Sequence, residues 1–178
     1  MANNIATLND LQIMARYNSW ANQRLYACVE GLSDDDYRAD KGAYFGSIHA
    51  TLNHLLAVDR LWTSRIMGEY HGLSGLDHIL HDDFTNLSSA RTAMDEHIVR
   101  LTDRMSVGLD GGLDKEILYR TVSGSAEKHA SPVRHILLTV FNHQTHHRGQ
   151  VHCLLTQAGI KEPPALDVIV FIREMADA

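Results

Sequence analysis

Four stretches of this chain repeat apolar or small residues every three to four positions over several turns, and that periodicity leaves few folds open. Between Leu8 and Val29, the positions Leu11, Ala15, Asn18, Ala21, Leu25 and Cys28 share one helical face. A second helix runs from Ser47, whose hydroxyl suits an N-cap, to Gly68, a natural stop, with Ile48, Leu52, Leu55, Leu56, Leu61, Trp62 and Ile66 as its apolar face. From Phe84 onward, Leu87, Arg91, Met94, Ile98, Leu101 and Met105 repeat at heptad spacing. Ser131-Pro132 predicts the opening of a fourth helix, because the serine oxygen can cap free amides and proline at the first helical position loses no bond. Its stripe runs Ile136, Val140, His143, His147, Val151 and Leu154, and Gly159 ends it. A short last helix follows Pro163-Pro164, around Val168 to Met175. The expected fold is all-α: an antiparallel four-helix bundle whose facing positions form one core, with an extra C-terminal helix, as a single domain over residues 1–178.

Three connections join these helices. The first carries the acidic turn Ser33 to Asp36 and then Tyr44 and Phe45 between two glycines, and is expected to close over a bundle end. Gly68 to Asp83 is polar and holds His71, His78 and His81 at irregular spacing, which reads as a surface connection. Gly108 to Gly124 is long enough to line or cover a site, and Ile117 to Val122 within it suits an extended segment or small hairpin.

Charge and cysteine content narrow the function. With 16 Lys+Arg against 22 Asp+Glu, the formal net charge is -6, a field that repels phosphate backbones, so no nucleic-acid partner is expected. Cys28 and Cys153 fall in helical apolar patterns without CxxC spacing and read as core residues of a reducing compartment. No apolar run reaches membrane-spanning length, and Met1 to Gln12 lacks a basic patch followed by an apolar stretch. The expected setting is cytoplasmic, with no membrane partner.

Histidine stands out, with 12 residues against 4 Phe and 2 Trp. His143 and His147 lie four apart on one helical face, inside a stripe where apolar residues would otherwise sit. Burying two imidazoles costs desolvation energy that a metal ion or a hydrogen-bond network must offset; a satisfied core pair or a wet cleft are the alternatives. A third ligand must come from another helix, and His54, beside Ala50, Ala57, Val58 and Leu61, is the best candidate. His49 reads as a rim or capping residue, and His97, His129, His135, His146 and His152 sit at helix edges or outside the helices. Three imidazoles without thiolate suit Zn, Ni, Cu, Co or ferrous iron rather than Mg or Ca, and leave a coordination position open. Asn18, Asn142 and Gln150 are candidates to orient the rings. No catalytic acid or base can be assigned.

Two tracts carry a family resemblance. Residues 45–62, FGSIHATLNHLLAVDRLW, and residues 142–151, NHQTHHRGQV, resemble the DinB family of metalloenzymes, the DNA-damage-inducible family rather than the polymerase sharing that name. Tyr17-Asn18-Ser19-Trp20-Ala21-Asn22 is similar to that family's first helix. The resemblance implies an up-down-down-up four-helix bundle, often a homodimer, with a histidine triad for Zn or Ni. Carried over by position, the triad is His54, His143 and His147. Relatives with known activity use a low-molecular-weight thiol, as in thiol S-transferases and mycothiol-dependent maleylpyruvate isomerase.

Three functions follow as expectations. The first is a metal-dependent enzyme acting on a small-molecule substrate, with the ion activating a thiol as in an S-transferase. The alternative is a non-catalytic metal-binding stress-response protein. A third is a homodimerising helical module using Leu138, Asn142, Thr145, Gly149 and His152, a face that ordinary solvent exposure also explains.

Overall fold

Polar caps and glycine stops set the helix ends of the computed structural model, which describes residues 7–122 and 127–177. Helix α1 (Asp10–Glu30) opens with a reciprocal capping box between Asn9 and Gln12. A short helix α2 (Asp34–Arg38) follows, capped by Ser33. Helix α3 (Ile48–Met67) has the Ser47 cap expected of it and ends at Gly68, where φ is 73°, a left-handed conformation that only glycine adopts without strain. Helix α4 (Phe84–Ser106) starts at an Asp83 cap. Strands β1 (Glu116–Arg120) and β2 (Lys128–Pro132) pair antiparallel before helix α5 (Val133–Gln157), and helix α6 (Val168–Ala176) completes the described chain. Met1 to Ala6 and Gly124 lie outside the described residues.

The protein is therefore largely helical, but the all-α expectation needs correcting by this hairpin. It has a physical reason. Ile117 turns inward and packs with Val133, Ile136 and Met105, while its neighbour Leu118 stays exposed, the alternation of a half-buried strand. The hairpin also changes how α5 begins. Ser131 pairs with Ile117 in the ladder and its hydroxyl meets the Tyr119 hydroxyl, so it does not cap. Pro132 is the last residue before the helix rather than its first turn, and the amides of Val133 and Arg134 donate to the carbonyls of Lys115 and Leu113 instead.

Each of α1 and α3 packs against both α4 and α5. The interior is not one core. One apolar cluster joins Leu25 and Val29 of α1, Ile48 to Leu56 of α3, Leu87 of α4 and Val151 to Leu155 of α5. A second joins Ala15, Ile66, Ile98 to Met105, and Val133 to Phe141. Along every long helix a band of buried polar residues separates the two.

That band is a closed circuit. The Arg91 guanidinium lies 2.8 Å from both the Asp59 and Asp95 carboxylates, as charge contacts rather than aligned hydrogen bonds. Asp95 accepts from the Asn18 and Asn22 amides at 3.1 and 3.0 Å, and Arg148 donates to the side-chain oxygens of Asn18, Asn22 and Gln144. The Gln144 amide closes the circuit onto Asp59 at 2.6 Å. Two carboxylates and two guanidiniums balance in charge, which is how four buried ionic groups coexist away from water. Burial still pushes the Asp59 carboxyl up to about 6, against the opposing pull of Arg91.

One smaller expectation also changes. Both cysteines are free thiols; Cys28 is half-buried and packs against the first apolar cluster, whereas Cys153 is exposed and is not a core residue, since it sits between the buried stripe positions Val151 and Leu154 and points outward. No helix among the described residues is long and apolar enough to cross a membrane.

Candidate metal centre

Helices α3 and α5 pack against each other, and the three predicted histidines lie on the faces that meet. His143 and His147 are one turn apart on α5, and His54 comes from α3. One ligand-capable atom from each lies within 4.8 Å of the other two, and His54 Nε2 is 3.0 Å from His143 Nε2. The His54 and His147 rings are nearly buried, at 8% and 7% exposure. They nevertheless form part of the wall of a cleft of about 610 Å³, with Tyr44, Phe45, Leu76 and Asp77 completing its lining.

Hydrogen bonds set which ring nitrogens are free. His54 Nδ1 donates to the Leu76 carbonyl at 2.8 Å, which leaves Nε2 as a lone pair. His147 Nδ1 is 2.7 Å from Gln150 Oε1 and donates to it, again leaving Nε2 free. This is the arrangement in which an outer partner fixes tautomer and ring direction for ligation. Phe45 stacks on His54 with ring centroids 4.0 Å apart and restrains its rotation. His143 has no such partner, and its Nδ1 is buried without a hydrogen bond.

All three imidazoles are held toward the neutral, ligating form. Burial lowers the His143 pKa to about 3, and the neighbouring His147 and His54 rings add to it. Burial also lowers His54, opposed by its bond to Leu76, and lowers His147, opposed by Gln150. Three neutral imidazoles with two lone pairs fixed toward one point fit a borderline transition ion better than calcium or magnesium, which take oxygen ligands.

The other histidines separate from this group. His49 is buried rather than at a rim, with its ring edge-on to Tyr37 and Nε2 3.3 Å from the His81 carbonyl. His146 is exposed and stands beside His147, His152 bonds the Pro164 carbonyl, and His129 lies in β2 against Tyr119. Of the expected orienting residues, Gln150 serves His147, whereas Asn142 is exposed and Asn18 belongs to the buried ionic circuit.

The connection 68–83 is more than a surface loop, because it supplies the Leu76 carbonyl and Asp77. Asn53, fully buried on α3, holds it in place: its oxygen accepts from the amides of Leu80 and His81 at 2.9 Å each, and its amide donates to the His81 carbonyl at 3.1 Å. Asn53 had a sequence signal, a polar residue next to His54 in an apolar helix, but its partners are backbone groups that no residue type announces.

A sequence model of the DinB family matches residues 1–175. The chain belongs to the DinB family. It is also similar to "Protein DinB" of Bacillus subtilis (strain 168), with 28% identity over 153 residues, 83% of this chain and 86% of that protein. DinB membership and the three-histidine group, reached independently, both fit a metal-binding protein.

Proposed function

We propose that His54, His143 and His147 hold one divalent transition-metal ion, zinc or nickel, and that the chain is a thiol-dependent S-transferase acting on a small electrophilic molecule. The observation that carries the reading is the convergence of three neutral imidazoles, two of which, His54 and His147, stand in the wall of an open cleft. Three protein ligands leave room for a further one, the pattern of catalytic sites. A bound ion would supply Lewis acidity, lowering the pKa of a coordinated thiol or water. In this reading the Leu76 carbonyl and Gln150 hold two of the rings in their ligating tautomer, and Phe45 and Tyr44 present an apolar wall to the substrate.

The reading carries the family's up-down-down-up course in one domain over residues 1–178. What supports that course is the sense in which each long helix joins the two apolar clusters: α1 and α5 run from the second to the first, α3 and α4 from the first to the second. It further takes the protein to be a cytoplasmic homodimer. The free cysteines fit a reducing compartment, and exposed Leu138 lies on the α5 face suggested for pairing.

The test is spectroscopic. Cobalt(II)-substituted protein titrated with cysteine and other small cellular thiols is expected to gain a sulfur-to-metal charge-transfer band, as a thiol enters the open position. Absence of any response across these thiols would remove the transferase reading.

A further inference from the structure

A second cleft, of about 530 Å³, lies between the hairpin and the connection 68–83. Its charged lining is entirely cationic: Arg65 of α3, Arg120 of β1 and Lys128 of β2, with His71 and Ser74 from the connection and no carboxylate among the described residues. The chain as a whole carries a net charge of -6, so the cleft concentrates charge of the opposite sign. No ion pair among the described residues reaches Arg65, Arg120 or Lys128, nor Arg60, Arg148, Arg173, Lys115 or Lys161; what sets the first three apart is that they share one cleft.

Strand register sharpens the point. Arg120 and Lys128 are direct cross-strand partners, so both side chains leave the same face of the ladder. Like charges placed directly opposite destabilise a hairpin. Arg65 is fixed beside them: it donates to the Arg120 carbonyl at 2.5 Å and its guanidinium sits over the Trp62 and Tyr119 rings at 4.7 and 5.1 Å. Burial there works against its charge. Two cations side by side with a third oriented beside them, and no ion pair to any of the three among the described residues, suit an anion from outside.

We propose that this cleft binds a small anion, a phosphate or carboxylate group, between Arg65, Arg120 and Lys128. Arg65 offers a planar donor fork and Lys128 a mobile point charge, a combination suited to several oxygens of one group. The site stands apart from the metal reading and does not require it. The two are joined, however, by the same connection: Ser74 lines the anion cleft and Leu76, two residues on, lines the metal cleft.

Trp62 provides the readout. In a Trp20→Phe background it is the remaining tryptophan, and it packs on Arg65 and Tyr119. Inorganic phosphate and succinate, titrated separately at constant ionic strength, are expected to give a saturable fluorescence change for at least one, and which one answers tells phosphate from carboxylate. In Arg120→Gln/Lys128→Gln, affinity should fall about tenfold or more, from the loss of charged hydrogen bonds. The double variant should melt no lower than its parent without anion, since a repulsion has been removed. Arg120→Lys, which keeps the charge, should bind within a few-fold of the parent, and His143→Ala should bind as the parent does. No saturable change with either anion, an unchanged affinity in the double variant, or loss of binding in His143→Ala would each overturn the proposal.

Discussion

The Gln144 amide donates to the Asp59 carboxylate at 2.6 Å across the α3–α5 contact, one residue from His143 and five from His54. Both side chains are fully buried. The bond belongs to the ionic circuit that fixes the rotation of the two histidine-bearing helices relative to each other. Removing one charge from a buried, balanced set costs about 3–5 kcal/mol; without Asp59, Arg91 and Arg148 would share Asp95 alone and the circuit would hold one excess positive charge. Asp59→Ala should lose about that much in urea unfolding, whereas Asp59→Leu/Arg91→Met, which removes both members, should lose less than the single change. Equal or greater loss in the double variant would contradict this account of the circuit.

Asn53 ties the connection 68–83 to α3 through both of its side-chain atoms. Asn53→Ala strips partners from two backbone amides, and at about 1 kcal/mol per bond the expected loss is roughly 2–3 kcal/mol. Amide hydrogen exchange should show it locally, with Leu80 and His81 losing protection before the helices do. Because the same connection carries the Leu76 carbonyl, metal affinity should fall as well.

Gln150 holds the His147 ring through a 2.7 Å bond. Gln150→Leu keeps a similar side-chain volume but accepts no hydrogen bond, and loss of such an outer partner lowers metal affinity about 10–100-fold. Competition with a chromophoric chelator measures this. An unchanged affinity would mean that helix geometry alone orients the ring.

The depressed histidine pKa values give the metal-free protein a definite pH dependence. His54, His143 and His147 titrate below the ordinary value of 6.5 when folded, so below that pH the unfolded chain binds more protons. Their contribution to stability is intact above about 6.5 and is lost progressively as pH falls toward about 3, where His143 protonates. Urea unfolding of chelator-treated protein should show lower stability at pH 5 than at pH 7.5. His143→Phe, which removes the most shifted group, should flatten the slope.

Local signals were legible where chemistry is local. Ser47 and Gly68 bound α3 because cap and stop act within a turn of themselves, and His143 and His147 were visible as a pair because four residues on a helix is one face. Signals whose outcome depends on distant chain were not. Ser131-Pro132 looks like a helix opening, yet hairpin pairing recruits Ser131 and loop carbonyls satisfy the first amides of α5. Arg91 stood on an apolar heptad without any hint that Asp59 and Asp95 would meet it. The Leu76 carbonyl was beyond reach for another reason: every residue carries one, so its role at His54 leaves no trace in residue type.

The central claim is that imidazoles from α3 and α5 share one ion, and metal stoichiometry tests it most directly. Elemental analysis of the protein as isolated, alongside His143→Ala verified as folded by circular dichroism, should find about one transition metal per chain in the parent and almost none in the variant. Full retention of metal by folded His143→Ala would contradict the account.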